Sequence, residues 1–116
     1  MEDKILKWLY DIDSAINEIE SYFINEKMDF FEYKKNLMRK RAVERNLEII
    51  GEATNRIIKS DASFTSKIND ANAIIGLRNQ VIHAYDNISD ETLWSILSNH
   101  LPKLKSEVQI LLSNNN

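Results

Sequence analysis

Ile5, Leu6, Leu9, Ile12, Ala15, Ile16, Ile19 and Phe23 recur at steps of three and four. One stripe of a helix from Asp3 to Ile24 is therefore apolar and has to be buried. A second series, Leu37, Val43, Leu47, Ile50, Ile57 and Ile58, with Thr54 filling its gap, predicts a long helix from just after Asn36 to about Lys59. Two long amphipathic helices in 116 residues leave room for little besides a helical bundle. Composition agrees, because 2 Gly and 1 Pro are too few to turn between many strands.

The remaining chain fits around these two helices. DFFEYKKN predicts a short helix capped by Asp29, burying Phe30 or Phe31 together with Tyr33. SDASFTSKIND is polar and rich in capping residues, which predicts a loop before a fourth helix from about Asp70 to Tyr85. Asp86 and Asn87 supply the next turn. Ser89 is placed to cap the last helix, with Asp90 and Glu91 against its positive end and Ile88 and Leu93 in staple positions. Pro102 removes the hydrogen bond to Ser98 and predicts a kink or offset there. The expected architecture is all-α, an antiparallel four-helix bundle with one short extra helix, in a single domain over 1–116.

Several chemistries are excluded early. Without cysteine there is neither a disulfide framework nor a thiolate metal site. The N-terminus MEDKILKW is not a basic-then-apolar leader, and no apolar run approaches the roughly 18 residues of a membrane span. A cytoplasmic protein without membrane contact is expected. The net charge of −3 does not favour nucleic acid overall, but Lys34, Lys35, Arg39, Lys40, Arg41 and Arg45 face only Glu44 within their run. That run is either a solvated helix face or a surface, with Arg39, Lys40, Arg41 and Arg45 foremost, to which a polyanion is drawn.

Both glycines fall inside helical patterns, where each costs about 1 kcal/mol relative to alanine. For Gly51 the expected compensation is tight packing within the bundle. Gly76 opens the stretch GLRNQVIHAYDNIS, on the same helix face as Asn79 and His83, whereas Arg78 and Tyr85 share another. At about 100° per residue, Arg78 and His83 stand about 140° apart. A straight helix does not aim both at one small target. Either the helix deforms near His83, or the arginine and histidine of two subunits combine across a two-fold axis, with Gly76 permitting close approach.

A lone histidine at a helix end is often structural. Metal binding is poorly supported, since His100 lies in another helix and no carboxylate has helical ligand spacing to His83. Glycine-rich phosphate loops and the strand-turn-helix setting of an acyl-transfer nucleophile are missing as well. Chemistry at a phosphate without metal or cofactor remains. Arginine binds phosphate and stabilises developing charge, imidazole moves a proton, and Asn79 orients the ring or donates to the phosphate. These parts suffice for RNA transesterification without being specific to it.

RNQVIHAY fits the pattern Arg, four residues, His, one residue, Tyr, and resembles the signature of HEPN-domain toxins of the HepT type. RAVERNLEIIGEA, the HAYDNIS run and the overall length extend the resemblance over nearly the whole chain. It implies an all-α homodimer acting as a metal-independent endoribonuclease toxin of a type VII toxin-antitoxin pair, on transfer or messenger RNA. The catalytic Arg78 and His83 would meet in a cleft at the dimer interface, with Asn79 in support. Tyr85 would be the hydroxyl to which a partner of the minimal nucleotidyltransferase (MNT) type transfers AMP. In the third helix, Arg45 could pair with Glu48 and Glu52 with Arg56. Alternatively this stripe flanks the cleft, Arg41 and Arg45 extending the basic surface and Glu48 or Glu52 tuning Arg78 or His83. The rival function is a non-catalytic helical module that binds nucleotide or the nucleotidyltransferase.

Overall fold

In the computed structural model, which describes residues 1–23, 30–76 and 90–114, the first apolar series forms helix α1 (Asp3–Ser21). Ile5, Leu9, Ile12, Ala15, Ile16 and Ile19 are its buried stripe, while Leu6 is only half-buried at the edge. Tyr22 and Phe23 prolong the helix as turns, and Ile24 lies outside the described residues. Helix α2 (Phe30–Lys35) is short, as DFFEYKKN predicts, and its anchor is Tyr33, fully buried. Phe30 is half-buried, whereas Phe31 is 71% exposed.

Helix α3 (Leu37–Ser60) begins where Asn36 accepts a hydrogen bond from the Arg39 backbone N–H at 2.9 Å. Its core face is Val43, Leu47, Ile50, Ala53 and Ile57, with Gly51 buried among them. Thr54 fills the gap in the apolar series because its hydroxyl donates to the Ile50 carbonyl at 2.8 Å, which satisfies it within the helix. The expectation for Leu37 fails: it is 57% exposed, since the first turn of α3 projects past the core at the elbow with α2. Ile58 is half-buried at the margin.

The polar stretch after α3 is more ordered than a plain loop. A 3₁₀ turn (Ala62–Ser66), capped by Asp61 accepting from the Ser63 N–H, inserts Phe64 into the core, and Ile68 follows it. Two apolar side chains anchor the segment despite its polar composition. Helix α4 is helical over residues 71–76, and the rest of its expected span, to Tyr85, lies outside the described residues. The expected turn at Asp86 and Asn87, the Ser89 cap and Ile88 lie outside the described residues.

The last helical rod is α5 (Asp90–Ser95), a π-turn (Ile96–His100) and α6 (Leu101–Asn114). Pro102 explains the π-turn, which is the offset the sequence predicts. Proline has no N–H for Ser98 and its ring crowds that carbonyl. The chain widens one turn, and the Leu101 N–H reaches back to the Ile96 carbonyl instead. Leu97 and Leu101 both stay buried across it.

Helix α1 is the axis of the packing. Met1, Glu2 and Ile5 share a cleft with Ser60, Asp61 and Phe64, so α1 and α3 run antiparallel. Lys105 near the start of α6 pairs with Glu20 near the end of α1 at 2.7 Å, so α6 also runs antiparallel to α1. All regular structure among the described residues is helical, and no helix there is long and apolar enough to cross a membrane.

Candidate functional site

The motif residues Arg78, Asn79, His83 and Tyr85 lie outside the described residues. Their approach to one another, and the choice between a deformed helix and a two-chain site, are therefore not part of the described geometry. What the structure does describe is the framework on both sides of the motif. Upstream, Asp70 precedes α4 and accepts from His100 Nδ1 at 3.0 Å, with Lys103 at 3.7 Å. The hydrogen bond from His100, reinforced by Lys103, lowers the Asp70 carboxyl below the usual carboxylate range. Glu107 accepts from the Asn69 backbone N–H at 3.0 Å, so the entry to α4 is tied to the π-turn and α6.

Downstream, Asp90 pairs with Lys40 of α3 at 2.7 Å, the two side chains only 17% and 20% exposed. The ammonium of Lys40 is thus directed inward, into a strut between α3 and the residue that follows the motif segment. Beside it stands an aromatic cluster, with Trp94 at 5.4 Å from Tyr33, 5.8 Å from Phe30 and 6.3 Å from Phe23, between ring centroids. The Arg39 guanidinium lies over the Phe23 ring at 5.1 Å. The Tyr33 hydroxyl is buried with no hydrogen-bond partner among the described residues. Burial, helped by the nearby charges of Glu44 and Asp90, pushes its pKa up.

Of the predicted basic surface, then, Arg39 and Lys40 have inward partners, whereas Arg41 is exposed. Arg45 pairs with Glu48 at 3.3 Å and Arg56 Nε donates to Glu52 at 3.1 Å, the two helical pairs the spacing allows. Those pairs wall a groove of about 350 Å³ between α1 and α3, completed by Trp8, Asp11, Ile49 and Ala53. Three carboxylates and two guanidiniums line it, and both guanidiniums are already paired. A phosphate entering would compete with Glu48 and Glu52, so the groove suits N–H donors and flat apolar groups better. Trp8 and Asp11 were not singled out from the sequence. Their only signal is that, three residues apart, they flank the buried Leu9 and Ile12 on α1.

At Gly76 a side chain would meet nothing within 4 Å among the described residues. No close neighbour within the described chain accounts for that glycine. Among the described residues no group of His, Asp and Glu could hold a metal ion, and the Nδ1 of His100 is occupied by Asp70.

Comparison with known proteins matches residues 12–111 to the family described as "Ribonuclease HepT-like". A protein of Methanocaldococcus jannaschii provisionally named an RNase is 39% identical over 106 residues, covering 90% of this chain and 93% of the relative. A second from that organism, also provisionally named an RNase, is 32% identical over 93% of this chain and 90% of its own length. One from Thermococcus cleftensis, provisionally named ribonuclease HepT, is 30% identical over 90% of this chain and 92% of its own length. No solved structure gives a significant match. The chain belongs to the HepT-like ribonuclease family, and by that membership it is a ribonuclease.

Proposed function

We propose that the protein is a metal-independent endoribonuclease toxin whose site is assembled from Arg78 and His83 of two chains. The observation that carries this reading is a family match that runs through the whole Arg-x4-His-x-Tyr motif and both helices beside it. The ribose 2′-hydroxyl attacks the adjacent phosphorus, the 5′-oxygen leaves, and a 2′,3′-cyclic phosphate results. Arg78 holds the phosphate and stabilises the charge that develops on it, while His83 takes or returns the proton. Asn79, which helical spacing would set on the face of His83, orients the imidazole. On an ideal helix Arg78 and His83 would stand about 140° apart, which favours a site shared by two subunits. No described residue fills the space over Gly76, which is compatible with the approach of a second backbone there.

Regulation follows from Tyr85. Its hydroxyl attacks the α-phosphorus of ATP held by an MNT-type nucleotidyltransferase antitoxin, pyrophosphate leaves, and a tyrosyl-AMP results. The added anion beside the cleft repels an RNA phosphate. The test of the chemistry is RNA cleavage in EDTA by wild type, Arg78→Ala and His83→Ala. Cleavage by wild type alone is expected, and an inert unmodified wild type or a fully active His83→Ala protein would sink the proposal. For the switch, incubation with partner and ATP should add AMP mass to wild type and none to Tyr85→Phe.

A further inference from the structure

We propose that the elbow between α2 and α3 is a docking surface for single-stranded RNA. In it Lys34, Lys35 and Arg41 engage phosphates, and Phe31 and Met38 supply faces for bases. The proposal rests on the ribonuclease reading and adds to it a substrate track outside the motif. Residues 30–45 hold six basic and two acidic side chains, a net +4, and the whole chain is −3, so everything else sums to −7. Asp90 and Glu48, which lie outside this run in sequence, neutralise Lys40 and Arg45, so the elbow keeps about +2, and a polyanion repelled over most of the molecule is attracted here.

The structure then sorts the six cations. Arg39 is over an aromatic ring, Lys40 is in its strut with Asp90, and Arg45 is paired with Glu48. Lys34 and Arg41 are exposed with no carboxylate partner among the described residues, and Lys35 has only a distant one, Glu32 at 4.0 Å. Phe31, Lys34 and Lys35 share one face of α2 at helical spacing. The chain then passes through Asn36 directly into Leu37 and Met38, with Arg41 one turn further on.

The apolar side chains at the elbow are as unusual as its charges. Met38 is 83% and Phe31 71% exposed, the two most exposed large hydrophobics among the described residues. An apolar partner would leave the cations without counter-charge, and a purely anionic one would leave Phe31 and Met38 in water. A single-stranded nucleic acid satisfies both, because a backbone charge and a π-face recur with each nucleotide.

The test is equilibrium binding of the full-length protein to a fluorescent 2′-O-methyl oligoribonucleotide, which lacks the attacking hydroxyl and cannot be cut. Lys34→Glu/Lys35→Glu/Arg41→Glu should weaken binding at least tenfold. Losing three contacts should lower the slope of log Kd against log salt by about 2, at about 0.7 per phosphate for single strands. Phe31→Ala should weaken binding about fivefold or more, and Met38→Ala, which loses apolar contact and no stacking, by less, with the slope unchanged in both. Lys4→Glu/Lys59→Glu/Lys67→Glu makes the same change in net charge away from the elbow and should keep most of the affinity. Equal loss in that control, or unchanged affinity in the elbow variant, overturns the proposal. So does a change in oligomeric mass of Phe31→Ala/Met38→Ala with RNA affinity intact, which would make the elbow a protein contact. Cleavage of a dinucleotide reads the chemistry separately. Its failure beside normal oligonucleotide binding would count against the ribonuclease site and leave the elbow standing.

Discussion

Replacing Lys40 by methionine should destabilise the fold far more than its place in a basic run suggests. The ammonium is 2.7 Å from Asp90 Oδ1, with both side chains about four-fifths buried. Breaking a fully buried pair costs about 3–5 kcal/mol because the remaining charge is stranded, whereas an exposed pair is worth about 0–1 kcal/mol. The partial exposure here places Lys40→Met between them, at about 2–3 kcal/mol. With an unfolding entropy of about 2.1 cal/mol/K per residue over 116 residues, Tm should fall by about 10 °C. Urea melts followed by circular dichroism should show a lower midpoint at unchanged m-value. The double variant Lys40→Met/Asp90→Leu should recover most of the loss, because no charge is then left behind. A Lys40→Met cost below about 0.5 kcal/mol, the range of a surface pair, would refute the strut and return Lys40 to the solvated cations.

Three further outcomes are expected. Tyr33→Phe removes a buried hydroxyl without a described partner and should be neutral or stabilising by about 1 kcal/mol in the same melts; a clear loss would mean that the hydroxyl is satisfied after all. Asp70 has its carboxyl lowered by His100, so its contribution is full above the unfolded value of about 3.9 and is lost as pH falls through the lower folded value. Asp70→Asn should therefore lower stability at neutral pH and flatten its decline below about pH 4, and an acid limb as steep as wild type would remove Asp70 from it. Mixing inactive Arg78→Ala with inactive His83→Ala should restore about a quarter of wild-type cleavage, since half the dimers are mixed and each of those holds one intact shared site. No recovery after subunit exchange would place both residues of each site in one chain.

How far the fold could be read from residues alone varies with the element. In α1 and α3 the three-and-four spacing leads straight to the observed core, because a helix turns side chains by a constant angle and only one face can be dry. The consequence of Pro102 was equally legible, since a missing N–H has to be answered locally. Leu37 was misplaced because periodicity says which face is apolar and not where along the helix the core stops. Phe64 and Ile68 were read as loop because two isolated apolar residues have no period, yet the gap beneath the end of α3 takes both.

For the site the division is sharper. The identities of Arg78, Asn79, His83 and Tyr85, and the family to which the chain belongs, are properties of local order along the chain, which needs no coordinates. Which cations of the basic run are available is not, because Lys40 and Arg41 are adjacent and chemically alike. Only packing decided that Lys40 meets Asp90, distant in sequence, while Arg41 stays in solvent. A helix sends neighbouring residues about 100° apart, and whether a charge meets a partner or water depends on what the rest of the chain brings to that side.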